Sequence, residues 1–422
     1  MIKPIFIIWL VMSAFLLAQN YPSYPVGQYW LFPDARALSL AGAGSVSLAA
    51  PGALLYNPAA LAQINRSLSF DLTLASRKME ERRSYPLYDR FDSYLVNSTY
   101  ALNNNWYIQP QGAIAVKLPF LKKSSLTVAA GFYNEMDYRY SYLEEVRQNV
   151  FGDPIIGYNR ITIDGMLQRY TVGLALNVPS LPRLSLGIQS GILDGTNSYQ
   201  MEINYLDARG RVVLENENRK LSNTPLTISA GAIYRLSERV SLGGNVFMPY
   251  TLKYKEKDDL FQESIGYPLR LNAGFEYRAQ QELQARLNLD LGYEFWSERK
   301  YTRELTSGII TLPDFSDVLY VKAGIEHIFF NKIPFGLGAQ YRNSNNSRGN
   351  TQTLLSIGTG FFDRQWRIDV AGALSRLNYR WADLFDDKWF VNDPNFVSRA
   401  ALDTVDETYF FVRLSFKYFI NF

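Results

Sequence analysis

The sequence predicts an all-β transmembrane protein, an antiparallel β-barrel of about fourteen strands with an N-terminal hatch in its lumen. Period-2 alternation of apolar residues recurs from Leu68 to the last residue. The connections between alternating segments are short and long by turns, and no long apolar run follows Leu17. With 47% hydrophobic and 15% aromatic residues, the apolar content must therefore be dispersed along strands rather than gathered into spanning helices.

The first residues set the compartment. Lys3 supplies a positive charge, Ile5 to Leu17 is almost wholly apolar, and Ala18 offers a small residue for cleavage, the order of a secretory signal peptide over residues 1–18. The apolar run is shorter than the roughly 20 residues that cross a bilayer, and no stop-transfer cluster of charge follows. The expected location is the bacterial outer membrane. The chain has no Cys, which excludes disulfides, a lipoprotein anchor and thiolate chemistry. A net charge of +3 is too balanced to suggest nucleic-acid binding.

Residues 19–66 lack strand alternation and read as the hatch. Gly and Ala dominate, so this backbone can pack closely against itself or a wall. Asn57-Pro58-Ala59 opens a short helix: Asn57 is the expected N-cap, and Pro58 the first helical residue, where its missing N–H costs nothing. The hydrophobicity of Tyr29 to Phe32 argues against a disordered linker.

The barrel is expected over residues 67–422. Its first strand shows Leu68, Phe70, Leu72 and Leu74 alternating with Ser69, Asp71 and Thr73. Equivalent sets begin at Ile114, Leu126, Tyr170, Leu184, Leu226, Val240, Leu269, Leu287, Leu319, Phe335, Leu355 and Trp366. The last strand alternates from Phe410 to Phe422, and its terminal aromatic resembles the signal read by outer-membrane barrel-assembly machinery. Short turns fall at Pro119–Lys123, Pro179–Arg183, Leu236–Arg239, Ala279–Glu282, Asn331–Ile333 and Asp363–Gln365. Long loops are expected at Arg77–Asn105, Glu135–Arg160, Leu193–Thr224, Lys255–Tyr267, Glu298–Ser316, Asn343–Asn350 and Arg380–Glu407. Short periplasmic turns opposite long outer loops suit a membrane barrel better than a soluble sandwich. Pro110 and Pro249 fall inside expected strands, where each removes a ladder donor and marks a strand end, a bulge or a local gap.

In its hatch the sequence resembles the FadL-type outer-membrane transporters of hydrophobic compounds, and equally the related PorV/PorQ barrels of type IX secretion. The residues that carry the resemblance are Ala35-Arg36-Ala37, Ala41-Gly42-Ala43-Gly44 and Tyr56-Asn57-Pro58-Ala59-Ala60-Leu61, within about Asp34–Ile64. Leu48-Ala49-Ala50-Pro51 departs from the acidic pair expected there. The resemblance implies a fourteen-strand barrel and, for the transporters, passive uptake of a long-chain fatty acid or hydrocarbon-like molecule; for the rival group, binding of secreted proteins. A general porin fits poorly because a hatch blocks free diffusion, and a TonB-dependent receptor would need a much longer plug.

Enzymatic chemistry has little support. His327 is the only His, on the lipid-facing parity with Ile325, and no phosphate-binding loop or His/Cys metal cluster is present, so no cofactor is expected. The lumen-facing parity carries Asp71, Arg270, Asn272, Glu276, Arg286, Asn288, Asp290, Glu294, Lys322, Glu326, Gln340, Arg342, Arg367, Asp369, Arg413 and Lys417. Interspersed signs favour ion pairs that fill the lumen and grip the hatch. Arg270, Arg286, Arg413 and Lys322 are the candidates for meeting a ligand carboxylate. Tyr138, Tyr140 and Tyr142 in one loop, and Trp381, Leu384, Phe385, Trp389 and Phe390 in the last, are candidates for capture of a hydrophobic ligand or a partner protein. Asp383, Asp386 and Asp387 beside them can hold divalent cations that bridge lipopolysaccharide.

Overall fold

A computed structural model describes residues 32–119, 125–148, 154–256, 261–279, 284–305, 308–311, 315–345, 351–391 and 402–421. The expected signal segment, Tyr29 to Leu31 and the terminal Phe422 lie outside the described residues.

Among the described residues, fourteen antiparallel strands close into one barrel. In chain order they are β1 (Leu68–Tyr88), β2 (Tyr94–Pro119), β3 (Ser125–Asp137, resumed over Tyr140–Arg147), β4 (Ile155–Asn177) and β5 (Leu184–Tyr205). Then come β6 (Arg211–Leu221 and Leu226–Arg235), β7 (Val240–Phe247 and Tyr250–Glu256) and β8 (Phe261–Tyr267 and Arg270–Arg278). They are followed by β9 (Ala285–Glu294 and Tyr301–Leu305) and β10 (Gly308–Thr311 and Val318–Phe329). The circuit ends with β11 (Ile333–Asn343), β12 (Thr351–Phe362), β13 (Trp366–Trp381) and β14 (Asp403–Ile420). β14 pairs with β1 from Leu68↔Ile420 to Ser84↔Thr404, which removes both sheet edges. No described helix is long and apolar enough to cross a membrane.

The apolar belt lies outside. Phe70, Leu72 and Leu74 on β1 and Val412, Leu414, Phe416 and Tyr418 on β14 are exposed, while Asp71, Thr73, Arg413, Ser415 and Lys417 between them are buried inside. The belt stops at the rung Lys78↔Phe410, where the Lys78 ammonium lies 5.6 Å from the Phe410 ring centre. Above that rung the outward positions are Glu80 and Arg82 on β1 and Thr408 and Asp406 on β14.

The expected long loops are mostly strand. Arg77–Asn105 is the upper part of a hairpin whose turn spans only residues 89–93. Glu135–Arg160, Leu193–Thr224, Lys255–Tyr267 and Glu298–Ser316 likewise contain the upper halves of β3 to β10. Arg380–Glu407 yields residues to β13 and β14 at its ends, and Asn343 ends β11. The reason is that period-2 apolarity reports lipid against lumen. Above the membrane Lys78, Glu80 and Arg82 face water while Glu81 and Arg83 face inward, so the ladder continues with no apolar outer stripe to reveal it. The barrel thus rises as a tower beyond the bilayer.

Candidate functional site

Residues 32–67 lie inside the membrane-level barrel. Asp34 caps a one-turn helix, α1 (Ala35–Ser39), by accepting from the Ala37 N–H at 2.7 Å. Gly42, with φ +77, then turns the chain back, its N–H donating to the Ala37 carbonyl. Two 3₁₀ turns follow, Pro51–Leu55 and Pro58–Gln63. Asn57 caps the second through its side chain to the Ala59 N–H at 3.1 Å, with Pro58 in the first turn. The capping expected of Asn57, Pro58 and Ala59 is therefore present, in a 3₁₀ helix.

The wall is built to hold this segment. Arg36 makes a two-pronged ion pair with Glu326, both contacts 2.7 Å. Lys417 pairs with Asp34, Asp290 accepts from the N–H groups of Gly44 and Ser45, and Gln111 donates to the carbonyls of Phe32 and Pro33. Lys117 and Asn177 reach the carbonyls of Ile64 and Ala62. Close approach also requires missing side chains. A Cβ on Gly187 would stand 2.3 Å from the Pro58 carbonyl carbon, and one on Gly338 would stand 2.3 Å from that of Leu40.

Above the hatch the interior turns aromatic. Tyr138, Tyr140, Tyr142, Tyr250, Tyr267 and Trp296 are all buried in one apolar cluster. Tyr140 and Tyr142 thus contradict the expectation of an exposed capture loop: they belong to the upper half of β3 and point into the tower. Charged groups lie among these rings. Glu81 accepts from Arg83 at 2.7 Å and from the Tyr140 hydroxyl at 2.6 Å. Across the β1–β14 ladder, Glu407 accepts from Tyr379 and Tyr409. Burial, then the neighbouring Glu81 carboxylate, pushes Glu407 up to about 8.

The described start of the last connection, residues 382–391, packs on the tower's aromatic side chains. Phe385 is 3% exposed and stacks on Tyr142 at 6.3 Å, which corrects its expected exposure. Phe390 packs on Tyr205 at 5.0 Å, and the Tyr205 hydroxyl donates to the Trp389 carbonyl at 2.8 Å. Trp389 is exposed, and Trp381 ends β13 beside Tyr379. Asp383 accepts from the Phe385 N–H and Asp386 pairs with Lys388, and no metal-holding acidic cluster is found among the described residues.

The wall itself is interrupted on one side. β2 and β3 pair only from Pro119↔Ser125 to Gly112↔Phe132. Beyond that rung lie Pro110 on β2 and an irregularity at Asn134/Met136 on β3. Side chains replace the ladder: Arg139 donates to the Ile108 carbonyl and the Gln109 side chain, and Asn105 donates to the Ser141 carbonyl. Arg139 and Arg77 both pair with Asp137 and both lie over the Tyr107 ring. Pro249 has a different setting. It separates the two segments of β7, and the ladder to β8 resumes directly at Tyr250↔Tyr267.

The sequence-predicted cations divide accordingly. Arg413 donates to the Phe32 carbonyl at 2.9 Å and stacks on its ring, so it holds the hatch. Lys322 lies over the rings of Tyr56 and Tyr320. Arg270 stacks on Phe247 at 4.5 Å, and Arg286 sits between Glu326 and Arg278 in the ladder. Arg413 and Lys322 thus approach the same part of the hatch, Phe32 and Tyr56, whereas Arg286 lies apart beside Glu326. The fully buried pair Arg169–Glu135, 2.6 Å apart above the hatch, was missed because its strand positions read as loop and strand margin.

The same architecture occurs in solved structures. A FadL homologue of Pseudomonas aeruginosa superposes with a TM-score of 0.66 at 15% identity, covering 94% of this chain and 100% of that one. The chain has the fold of the FadL-type outer-membrane transporters. The FadL-type likeness extends to the toluene transporter TodX of P. putida, with a TM-score of 0.60, 13% identity and coverage of 92% and 98%. It includes the toluene transporter TbuX of Ralstonia pickettii, at 0.57, 14%, 92% and 98%. No protein-family model and no curated protein matches the sequence.

Proposed function

We propose that the protein is an outer-membrane channel for passive uptake of hydrophobic small molecules, long-chain fatty acids or hydrocarbons, with lateral release into the bilayer. The observation that carries this reading is the pairing of a tyrosine- and tryptophan-lined tower with a wall interruption beside Pro110, above a hatch that bars straight passage. A ligand enters under the Phe385 loop, exchanges water for aromatic contacts in the tower, and is deflected by the hatch toward the β2–β3 interruption. Burial of apolar surface, at about 25 cal/mol per Å², supplies the driving force without coupled energy. The neighbours named for toluene transport support a hydrophobic cargo.

The test is transfer of toluene and of oleate into vesicles containing the purified protein, with mass spectrometry of co-purifying lipids. Faster transfer than in protein-free vesicles supports the reading. No acceleration for either cargo overturns it, and recovery of a stoichiometric secreted protein from native membranes would favour the secretion role instead.

A further inference from the structure

On the lipid face, immediately below the β2–β3 interruption, lies a depression of about 710 Å³. Its floor is Gly112, Ala130 and Ser190, and its rim includes Ile114, Phe132 and Tyr170. Gly112↔Phe132 is both the last rung of the β2–β3 ladder and part of this lining, so depression and interruption are continuous. On the lumen side, a small void of about 20 Å³ lined by Ala75, Gln109, Phe411 and Arg413 adjoins the interruption, next to the Phe32 of the hatch. The size falls within the roughly 300–1,000 Å³ of small-molecule sites. The lining is almost wholly apolar, with the charged Asp71 turned inward and buried.

We propose that this depression is an exit seat. It holds the apolar body of the transported molecule at the protein–lipid boundary after it passes the wall, while any polar head stays at the Arg77–Asp137–Arg139 cluster above. This rests on the lateral-release reading and adds a site to it. Continuity with the interruption favours the cargo as occupant over membrane acyl chains alone. A second lipid-facing depression of about 750 Å³, floored by Ala232, Gly244 and Ala273, provides the comparison: there β6 and β7 pair up to Ser229↔Phe247 and pair again from Leu221↔Tyr254, whereas β2 and β3 do not pair again beyond Gly112↔Phe132. It has lipid access beside a ladder that closes again above it.

The experiment uses the full mature protein in phosphatidylcholine vesicles. A diazirine-bearing alkylbenzene is added from outside, or the same diazirine is placed on a phospholipid acyl chain, and cross-links are mapped by mass spectrometry. The free probe is expected to label the Ile114 and Phe132 peptides several-fold over the second depression, and the phospholipid probe to label both alike. Filling the seat with Ala130→Phe and Ser190→Leu, both outward-facing, should abolish the preferential label and slow toluene transfer several-fold, with the melting temperature unchanged. Equal labelling of both depressions by the free probe, or undiminished transfer by the filled variant, overturns the seat while leaving lateral release standing. Failure of the wild-type protein to accelerate transfer at all overturns lateral release itself.

Discussion

Below the rung Lys78↔Phe410 the barrel is apolar without and polar within; above it the outer face turns largely polar and the inner face carries aromatic rings among buried charges. In the lower half Asp71, Asp290, Glu326, Arg413 and Lys417 point inward to a compact Ala- and Gly-rich hatch. In the upper half Tyr140, Tyr142, Tyr267 and Trp296 point inward while Glu80, Arg82 and Asp406 face water. One strand serves two solvents in succession, and its inner face changes with height: charge and hydrogen bonds where the hatch sits, aromatic surface where the proposed cargo would pass. The contrast can be broken from either side.

The largest effect is expected in the lower half. Glu326→Ala leaves the buried Arg36 without its two-pronged partner, which typically costs about 3–5 kcal/mol. The hatch should loosen, seen as a lower melting temperature and a raised ion conductance in planar bilayers. In the upper half, Phe385→Ala removes the ring that stacks on Tyr142, a loss of about 3 kcal/mol for a fully buried Phe. It should free the Phe385 loop, speed entry of toluene and leave conductance low. If both variants changed conductance equally, the division between hatch level and tower would fail.

A third, smaller effect reports the tower's electrostatics. Glu407 binds its proton more tightly folded than unfolded, so it weakens the fold as pH climbs from the ordinary carboxyl range through about 8. Glu407→Gln should therefore match the wild type near pH 5 and melt higher than it at pH 9. An unchanged difference between the two pH values would refute this. The smallest effect is Asn57→Ala, which removes a helix cap worth about 1 kcal/mol and should lower thermal stability slightly without altering uptake.

This change with height also explains what was legible beforehand. Each membrane-level strand was visible, since lipid demands an apolar stripe and Leu68 to Leu74 or Phe410 to Tyr418 display it at full amplitude. The Asn57-Pro58 start was visible because a cap is a local device. The tower strands were hidden, as Glu81, Arg83 and Glu407 occupy inward positions that carry no apolar signal. The hatch contacts were hidden for another reason: Ala35 meets Ser415 across 380 residues, and parity tells which side a residue faces but not what it meets there. Hence Arg413 could be placed in the lumen, yet its attachment to Phe32 could not be foreseen.

The hatch is bound at once by Gln111 of the second strand, Glu326 of the tenth and Ser415 and Lys417 of the last. A cylinder already sealed along the β1–β14 seam would leave no way for a segment of this width to slip in and find all of them. The order of assembly follows: the small N-terminal piece must be in place while the wall is still an open sheet, and β14 must curl round it and zip shut against β1. The plug is then a mandrel on which the cylinder is wound, and weakening its grip should impair insertion in living cells before it alters the finished pore.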